Sequence, residues 1–284
     1  MPLSPTDFSF ISQLVRQRSA IVLEPDKSYL LEARLAPLAR AEGFSSLDDL
    51  VEQLRAQPYN GLHRKVVEAM TTNETSFFRD LHPFEALRTV VIPEVMRYRA
   101  AEQSLLIWCA ACSSGQEAYT VAMTLLDHFP ALRGWRVKIL GTDISADMIV
   151  RCRGGRYGQL EVNRGLPANL LVKYFDKKGM DWQVKPEVQD LCEFRELNLI
   201  EAWGPLPTFD VVFLRNVLIY FDMETKRAIL AKMNRVMHPT GYLFLGGAET
   251  TINLGDDFQR AQFDRASCYR LRRPTGDRDA VSRR

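Results

Sequence analysis

What this chain lacks narrows its function before any motif is read. Its 284 residues carry 37 lysines and arginines against 35 acids, a net charge of +2, so no global field draws it to nucleic acid, although local basic faces stay open. The four histidines are scattered, and no metal site is expected. The five cysteines, Cys109, Cys112, Cys152, Cys192 and Cys268, form an odd set with a single C-x-x-C, which speaks for a reducing compartment over a disulfide framework. No apolar run is long enough to span a bilayer, and the opening MPLSPTDFSFISQLV has no basic segment followed by a long apolar one. Neither membrane insertion nor secretion is therefore expected, and the expected location is cytoplasmic. The glycosylation match Asn73-Glu74-Thr75 is accordingly read as accidental. A complete G-x-G-x-x-G and a G-x-x-x-x-G-K-[ST] are both missing, which leaves a phosphate cradle poorly supported. No internal repeat is found, and a monomer is expected. What remains, with 46% apolar residues, is a globular chain able to bury one large core or two modest ones.

The stretch that organises the rest is Leu105 to Met123, LLIWCAACSSGQEAYTVAM. Leu105 to Trp108 reads as a buried strand, Ser113 to Gly115 as a turn, and Glu117 to Leu126 as a helix with Ala118, Val121, Ala122 and Leu125 inward. Small residues let backbone approach a cofactor, and ligands of open α/β sheets collect at the carboxyl ends of strands near the topological switch point. A rival is the thioredoxin-like look of Cys109-Ala110-Ala111-Cys112. A redox pair belongs at the helix start, however, and three more small residues intervene. The next apolar run, Arg136 to Leu140, ends in Gly141-Thr142-Asp143. That places a carboxylate at a strand tip, where nucleotide-binding folds hold a ribose diol; a plain helix cap is the alternative.

Before this core, residues 7 to 70 read as four helices: one capped by Asp7 through Arg18, then Lys27 to Glu42, Ser46 to Gln57 and Leu62 to Met70. Lys27, Arg34 and Arg40 on the second are either a solvated face or a binding face for an acidic partner. Met70 to Asp80, MTTNETSFFRD, packs four hydroxyls and an amide against two aromatics and an arginine, and fits a helix cap with an aromatic plug as well as a site. Pro83 to Arg99 reads as a helix broken at Pro93. Beyond Asp143 come a helix from Ala146 to Arg153 and a small antiparallel insertion, with short strands Trp182 to Val184 and Val188 to Phe194. Glu193 to Leu199 returns to the main sheet. In FDVVFLRNVLIYF, residues 209 to 221, Arg215 and Asn216 interrupt an apolar strand and must meet partners, most economically a ligand, or else point to solvent. A helix from Met223 to Met237 and two closing strands follow, and 274 to 284 is expected to be disordered.

Taken together, TTNETSFFRD, WCAACSSGQEAYTVAM, GTDIS and FLRNVLIYFD, in this order and spacing, resemble the CheR family of chemotaxis receptor methyltransferases over nearly the whole chain. The resemblance implies a Rossmann-like α/β methyltransferase sheet, an all-helical N-terminal domain and a small antiparallel β insertion. The expected divisions are 1–80 for receptor recognition and 81–273 for methyl transfer, with the insertion at about 176–195. It implies S-adenosylmethionine as cofactor, S-adenosylhomocysteine as product, and glutamates of a receptor's cytoplasmic helical bundle as acceptors, giving methyl esters. Cofactor contacts fall on Asn73, Thr75, Arg79, Glu117, Asp143, Asn198, Leu199, Arg215 and Asn216, and Tyr220 matches a tyrosine near the transferred methyl. Arg79 and Tyr220 are the residues assigned to orienting donor or acceptor, and Lys27, Arg34 and Arg40 to receptor binding.

Two departures stand out. The loop SSGQEAYT replaces a more usual STGEEPYS, so Gln116 stands in place of its first acid while Glu117 keeps the second. The stretch Phe175 to Asp181 has one glycine where members that dock on a receptor's C-terminal pentapeptide carry a glycine-rich loop, which puts pentapeptide tethering in doubt. The other readings carried forward are a catalytically inactive cofactor-binding sensor and a thiol oxidoreductase using Cys109 and Cys112.

Overall fold

The computed structural model describes residues 3–272 except 262 and 264, and at Lys27 the backbone alone; the tail 274–284 lies outside the described residues. Four helices come first: α1 (Pro5–Ser19), α2 (Ser28–Ala41), α3 (Leu47–Ala56) and α4 (Gly61–Ala69). Ile11, Val15, Leu31, Leu35, Leu50, Leu54 and Val66 bury their stripes into a core of their own, the arrangement amphipathic helices adopt when each must cover one face. Ser4, not Asp7, caps α1, its hydroxyl accepting the Asp7 N–H at 3.1 Å. Pro5 holds the residue before it extended (Ser4 ψ 153°), so the cap falls immediately ahead of the proline. Ser46 caps α3, its hydroxyl accepting the Asp49 N–H at 3.1 Å.

The helical stretch through Pro93 is not broken. Helix α5 (His82–Ala86) runs through a π-turn at Leu87–Val91 into α6 (Ile92–Tyr98). A proline has no N–H and crowds the carbonyl four residues back, and a wider turn ahead of it relieves both problems.

The sheet-forming half follows: β1 (Ser104–Ala110), α7 (Gln116–His128), β2 (Arg136–Asp143), α8 (Ala146–Gly154), β3 (Arg156–Gly158), β4 (Phe175–Lys178), β5 (Asp181–Val184), β6 (Cys192–Glu196), β7 (Phe209–Leu214), β8 (Met237–Leu245), β9 (Phe258–Arg260) and β10 (Cys268–Leu271). The main sheet runs β6-β2-β1-β7-β8-β10-β9. Its first five strands are parallel, and the β8-β10 and β10-β9 pairs are antiparallel. All six residues of β7 are buried, as expected of a strand covered on both faces. The order reverses at β1, so the carboxyl ends of β1, β2 and β7 open on a common crevice.

The insertion is a three-stranded antiparallel sheet, β3-β5-β4. It starts and ends earlier than expected: Trp182 to Val184 does lie in a strand, but its neighbours are β3 and β4. Pro186–Gln189 is a helical turn, and Cys192–Glu196 pairs with β2 in the main sheet. Strands this short carry too few alternations to be placed by pattern alone.

Candidate active site

The loop after β1 is bent by three left-handed residues in alternation, Ala111 (φ +55°), Ser113 (φ +50°) and Gly115 (φ +93°), a costly conformation for the first two. It is held by Cys112 N–H to the Thr142 carbonyl at 2.9 Å, Ser113 N–H to Asp143 Oδ2 at 2.8 Å and Ser113 Oγ to the Asn73 carbonyl at 2.7 Å. A Cβ on Gly115 would lie 3.0 Å from Cys152 Sγ. The cap of α8 is the Ser145 hydroxyl. Asp143 itself is 5% exposed and also accepts the Ser145 N–H on Oδ1 at 3.0 Å. Burial pushes its pKa up, while the Ser145 and Ser113 amides pull the other way. Each oxygen keeps acceptor capacity beyond one amide.

At the tip of β7 the Arg215 side chain is 2% exposed. Its Nη1 donates to Glu117 at 2.6 Å, and its Nη2 to the Asp80 carboxylate at 2.8 Å and the Arg79 carbonyl at 3.0 Å. The partners Arg215 needed are thus the protein's own acids. Its Nε is buried with no protein partner. Burial raises the Glu117 pKa, and Arg215 opposes the rise. Phe78, Asp80 and Leu81 are left-handed (φ +50°, +65°, +42°), a coil that turns both Asp80 and the Arg79 carbonyl toward Arg215. Arg79 Nη1 donates to the Glu74 carbonyl at 2.8 Å. From the insertion side, Gly165 (φ +90°) presses on this coil so closely that a Cβ there would stand 2.1 Å from the Phe77 carbonyl oxygen.

These pieces meet in one open cavity, and all ten residues expected to hold the cofactor or orient the transfer line it: Asn73, Thr75, Arg79, Glu117, Asp143, Asn198, Leu199, Arg215, Asn216 and Tyr220. Its other side was not anticipated. Ser19 and Ile21, at and beyond the end of α1, also line it. That roof is fastened by Asn198 Nδ2 to the Arg18 carbonyl at 2.7 Å, Val22 N–H to the Tyr220 carbonyl at 3.3 Å, Ser145 Oγ to Glu68 at 3.0 Å, and the ion pairs Arg16–Asp222 and Arg64–Glu196. No local pattern in α1 distinguishes Ser19 or Ile21 from other helix-end residues.

The cations expected to face a partner are placed differently from one another. Arg34 is half-buried and donates to the Met70 and Thr71 carbonyls at 2.7 and 2.9 Å and to Thr72 Oγ1 at 2.9 Å, fastening the strap that leads into the cavity wall. Arg40 is exposed, and the Lys27 side chain lies outside the described residues. The thiol reading finds no support: Cys109 and Cys112 are buried and their pKa values are pushed well up, while the thiolate is the reactive form. The sulfur near Cys112 is that of Cys152, at 3.9 Å.

A mostly parallel seven-stranded sheet with a buried carboxylate at the β2 tip and an acid opening the helix after β1 is the setting in which α/β folds hold a ribose-bearing cofactor, and the match of residues 73–267 to an S-adenosylmethionine-binding domain makes the class an S-adenosylmethionine-dependent methyltransferase. The chain belongs to the CheR methyltransferase family: residues 6–71 match its all-alpha domain and residues 73–267 its S-adenosylmethionine-binding domain. It is 41% identical to the chemotaxis protein methyltransferase Cher2 of Pseudomonas putida, over 94% of this chain and 98% of that one. It is 42% identical to chemotaxis protein methyltransferase 1 of Pseudomonas aeruginosa, over 96% and 100%, and 37% identical to chemotaxis protein methyltransferase 1 of Vibrio cholerae, over 95% and 98%. S-adenosylmethionine is its cofactor.

Proposed function

We propose that this enzyme methylates glutamate side chains in the cytoplasmic helical bundle of chemotaxis receptors, and that the ten residues above are its cofactor and transfer site. Their convergence on one roofed cavity, from five separate stretches of chain, is the observation that carries the reading. The donor set suits the cofactor: Asp143 retains acceptor capacity for a ribose diol, Glu117 is an anion for an ammonium group, and the buried Arg215 Nε and the Arg79 guanidinium are donors for a carboxylate. When bound, the cofactor supplies an electrophilic sulfonium methyl. The chain's residues do the rest by placement. An acceptor carboxylate is anionic at neutral pH and needs no general base, so Arg79 and Tyr220 serve to align it, and positioning of this kind supplies on the order of 7 to 11 kcal/mol in favourable cases. The α1 roof keeps water from the reacting atoms.

Incubation with methyl-labelled cofactor should transfer label to receptor-containing membranes in base-labile form. Tight binding of S-adenosylhomocysteine without any transfer would instead identify the inactive sensor. Of the proposed receptor-facing cations, Arg40 is the one to test alone: Arg40→Glu should raise the receptor KM at low salt and leave S-adenosylhomocysteine affinity unchanged. Between β4 and β5 only Gly179 and Met180 turn the chain, and we infer that receptors are engaged without a pentapeptide tether.

The raised pKa of Glu117 gives a pH signature. A buried acid that holds its proton to higher pH than in the unfolded chain loses free-enzyme stability as pH rises from the unfolded value through the raised one. An ammonium partner needs the carboxylate, so at pH values below the raised one binding must expel that proton. Affinity for S-adenosylhomocysteine should therefore fall as pH drops through the raised value, and the binding heat should depend on the buffer's ionisation enthalpy. Flat affinity from neutral to acid pH would remove Glu117 as the ammonium's partner.

A further inference from the structure

We propose that Glu249 is the positioning residue that sets the Arg215–Tyr220 turn for methyl transfer, an inference that rests on the reading just given. Glu249 does not line the cavity and is 6% exposed. Its Oε2 accepts the N–H of Gly246 at 2.7 Å and of Asn216 at 2.8 Å, tying the end of β8 to the end of β7. Its Oε1 accepts the N–H of Ile219 at 3.3 Å, inside the single helical turn Leu218–Tyr220. One carboxylate thus fastens the start and the middle of the short segment that carries Arg215, Asn216 and Tyr220.

Two further features show that the arrangement is built around this group. Asn216 is left-handed (φ +58°), which turns its amide back toward Glu249 and away from the β7 ladder. Gly246 makes room for the carboxylate, since a Cβ there would lie 2.8 Å from Glu249 Oε2 and 2.7 Å from Asn216 Nδ2. A carboxylate is acceptor-only on both oxygens and can serve both ends of the turn; an amide of the same shape must aim its NH2 at one of those N–H groups. Glu249→Gln therefore keeps the volume and loses one fastening. Arg215 is held independently by Glu117 and Asp80, and Asp143, Asn73 and Asn198 stand on other segments. The loss therefore falls on Tyr220 and Asn216.

The expected result is a split. Glu249→Gln should bind S-adenosylhomocysteine within about threefold of the wild type, and its kcat, counted per S-adenosylhomocysteine-binding site, should fall about 10- to 100-fold, the scale of an ångström-sized misplacement. Glu249→Asp, which keeps two acceptor oxygens on a shorter arm, should recover part of that loss. A role confined to stability would lower the number of binding sites and the melting temperature but leave turnover per site unchanged, and that outcome overturns the inference. Should neither variant fold, hydrogen exchange on the wild type decides: the Asn216, Ile219 and Gly246 amides must be protected together, and rapid exchange at Asn216 or Ile219 overturns it. A wild type that methylates no receptor fails the functional reading itself; an active wild type with an equally active Gln variant fails the positioning role alone.

Discussion

Arg215→Met should melt roughly 10 °C below the wild type and bind S-adenosylhomocysteine too weakly to measure by calorimetry. Arg215 is 2% exposed, and Glu117, its closer acid, has a side chain only 12% exposed. Removing one member of such a pair strands the other charge in a medium that cannot solvate it, at a cost of about 3 to 5 kcal/mol. In a protein of this size each kcal/mol is worth about 2 to 4 °C. Asp80 adds little, being half exposed and screened by water. The stranded Glu117, already pushed up by burial, would lose the one neighbour pulling it down hardest, take up a proton and cease to be an anion for the cofactor. The double variant Arg215→Met, Glu117→Gln separates the two consequences: melting temperature should largely return, and binding should not. A single Arg215→Met that melts with the wild type would show that the pair contributes nothing net.

Asp143→Ala should weaken S-adenosylhomocysteine binding about 100-fold or more, because two charge-assisted hydrogen bonds of about 1.5 to 3 kcal/mol each disappear with the carboxylate. Its effect on the fold is not neutral, since the same oxygens satisfy the amides of Ser113 and Ser145. Two buried N–H groups lose their acceptors, and the strained Ala111–Gly115 loop loses a fastening. Melting should fall by several degrees alongside the affinity. Asp143→Asn keeps one acceptor and should sit between the two. Isothermal titration of folded Asp143→Ala is the check: affinity within a few-fold of the wild type would leave the ribose diol without its partner.

Much of this was legible in the sequence for identifiable reasons. Strands β1 and β7 are buried on both faces and show as dense apolar runs, and β2 is buried from Ile139 to its tip, so a polar residue at the end of such a strand, Asp143 or Arg215, stands out against it. That Arg215 must be paired followed from the cost of burying it; that Glu117 and Asp80 would be the partners did not, because they lie 98 and 135 residues away and only the fold brings them in. Arg34 looked like a surface charge because helical periodicity says which residues share a face, not which carbonyls lie opposite. Glu249 left no trace at all, its partners being backbone amides that any residue possesses. The insertion was found but misplaced, for β3 to β5 are three or four residues long, and half-exposed Trp182 blurs the alternation.

The roof over the cavity has a thermodynamic consequence. Ser19 and Ile21 belong to the helical half, Asp143 and Arg215 to the sheet, and an occupant of the cavity touches both. Its binding free energy is then shared between two halves that otherwise have separate hydrophobic cores. At about 100 times the dissociation constant, a ligand adds about 2.7 kcal/mol to the form it binds, and that form is the assembled pair, not either half. With ligand present the two halves should melt more nearly as one cooperative unit. The helical half then serves as a thermometer for the cofactor, and a destabilising change in α2 or α3, far from any reacting atom, should register as lost affinity at the sheet.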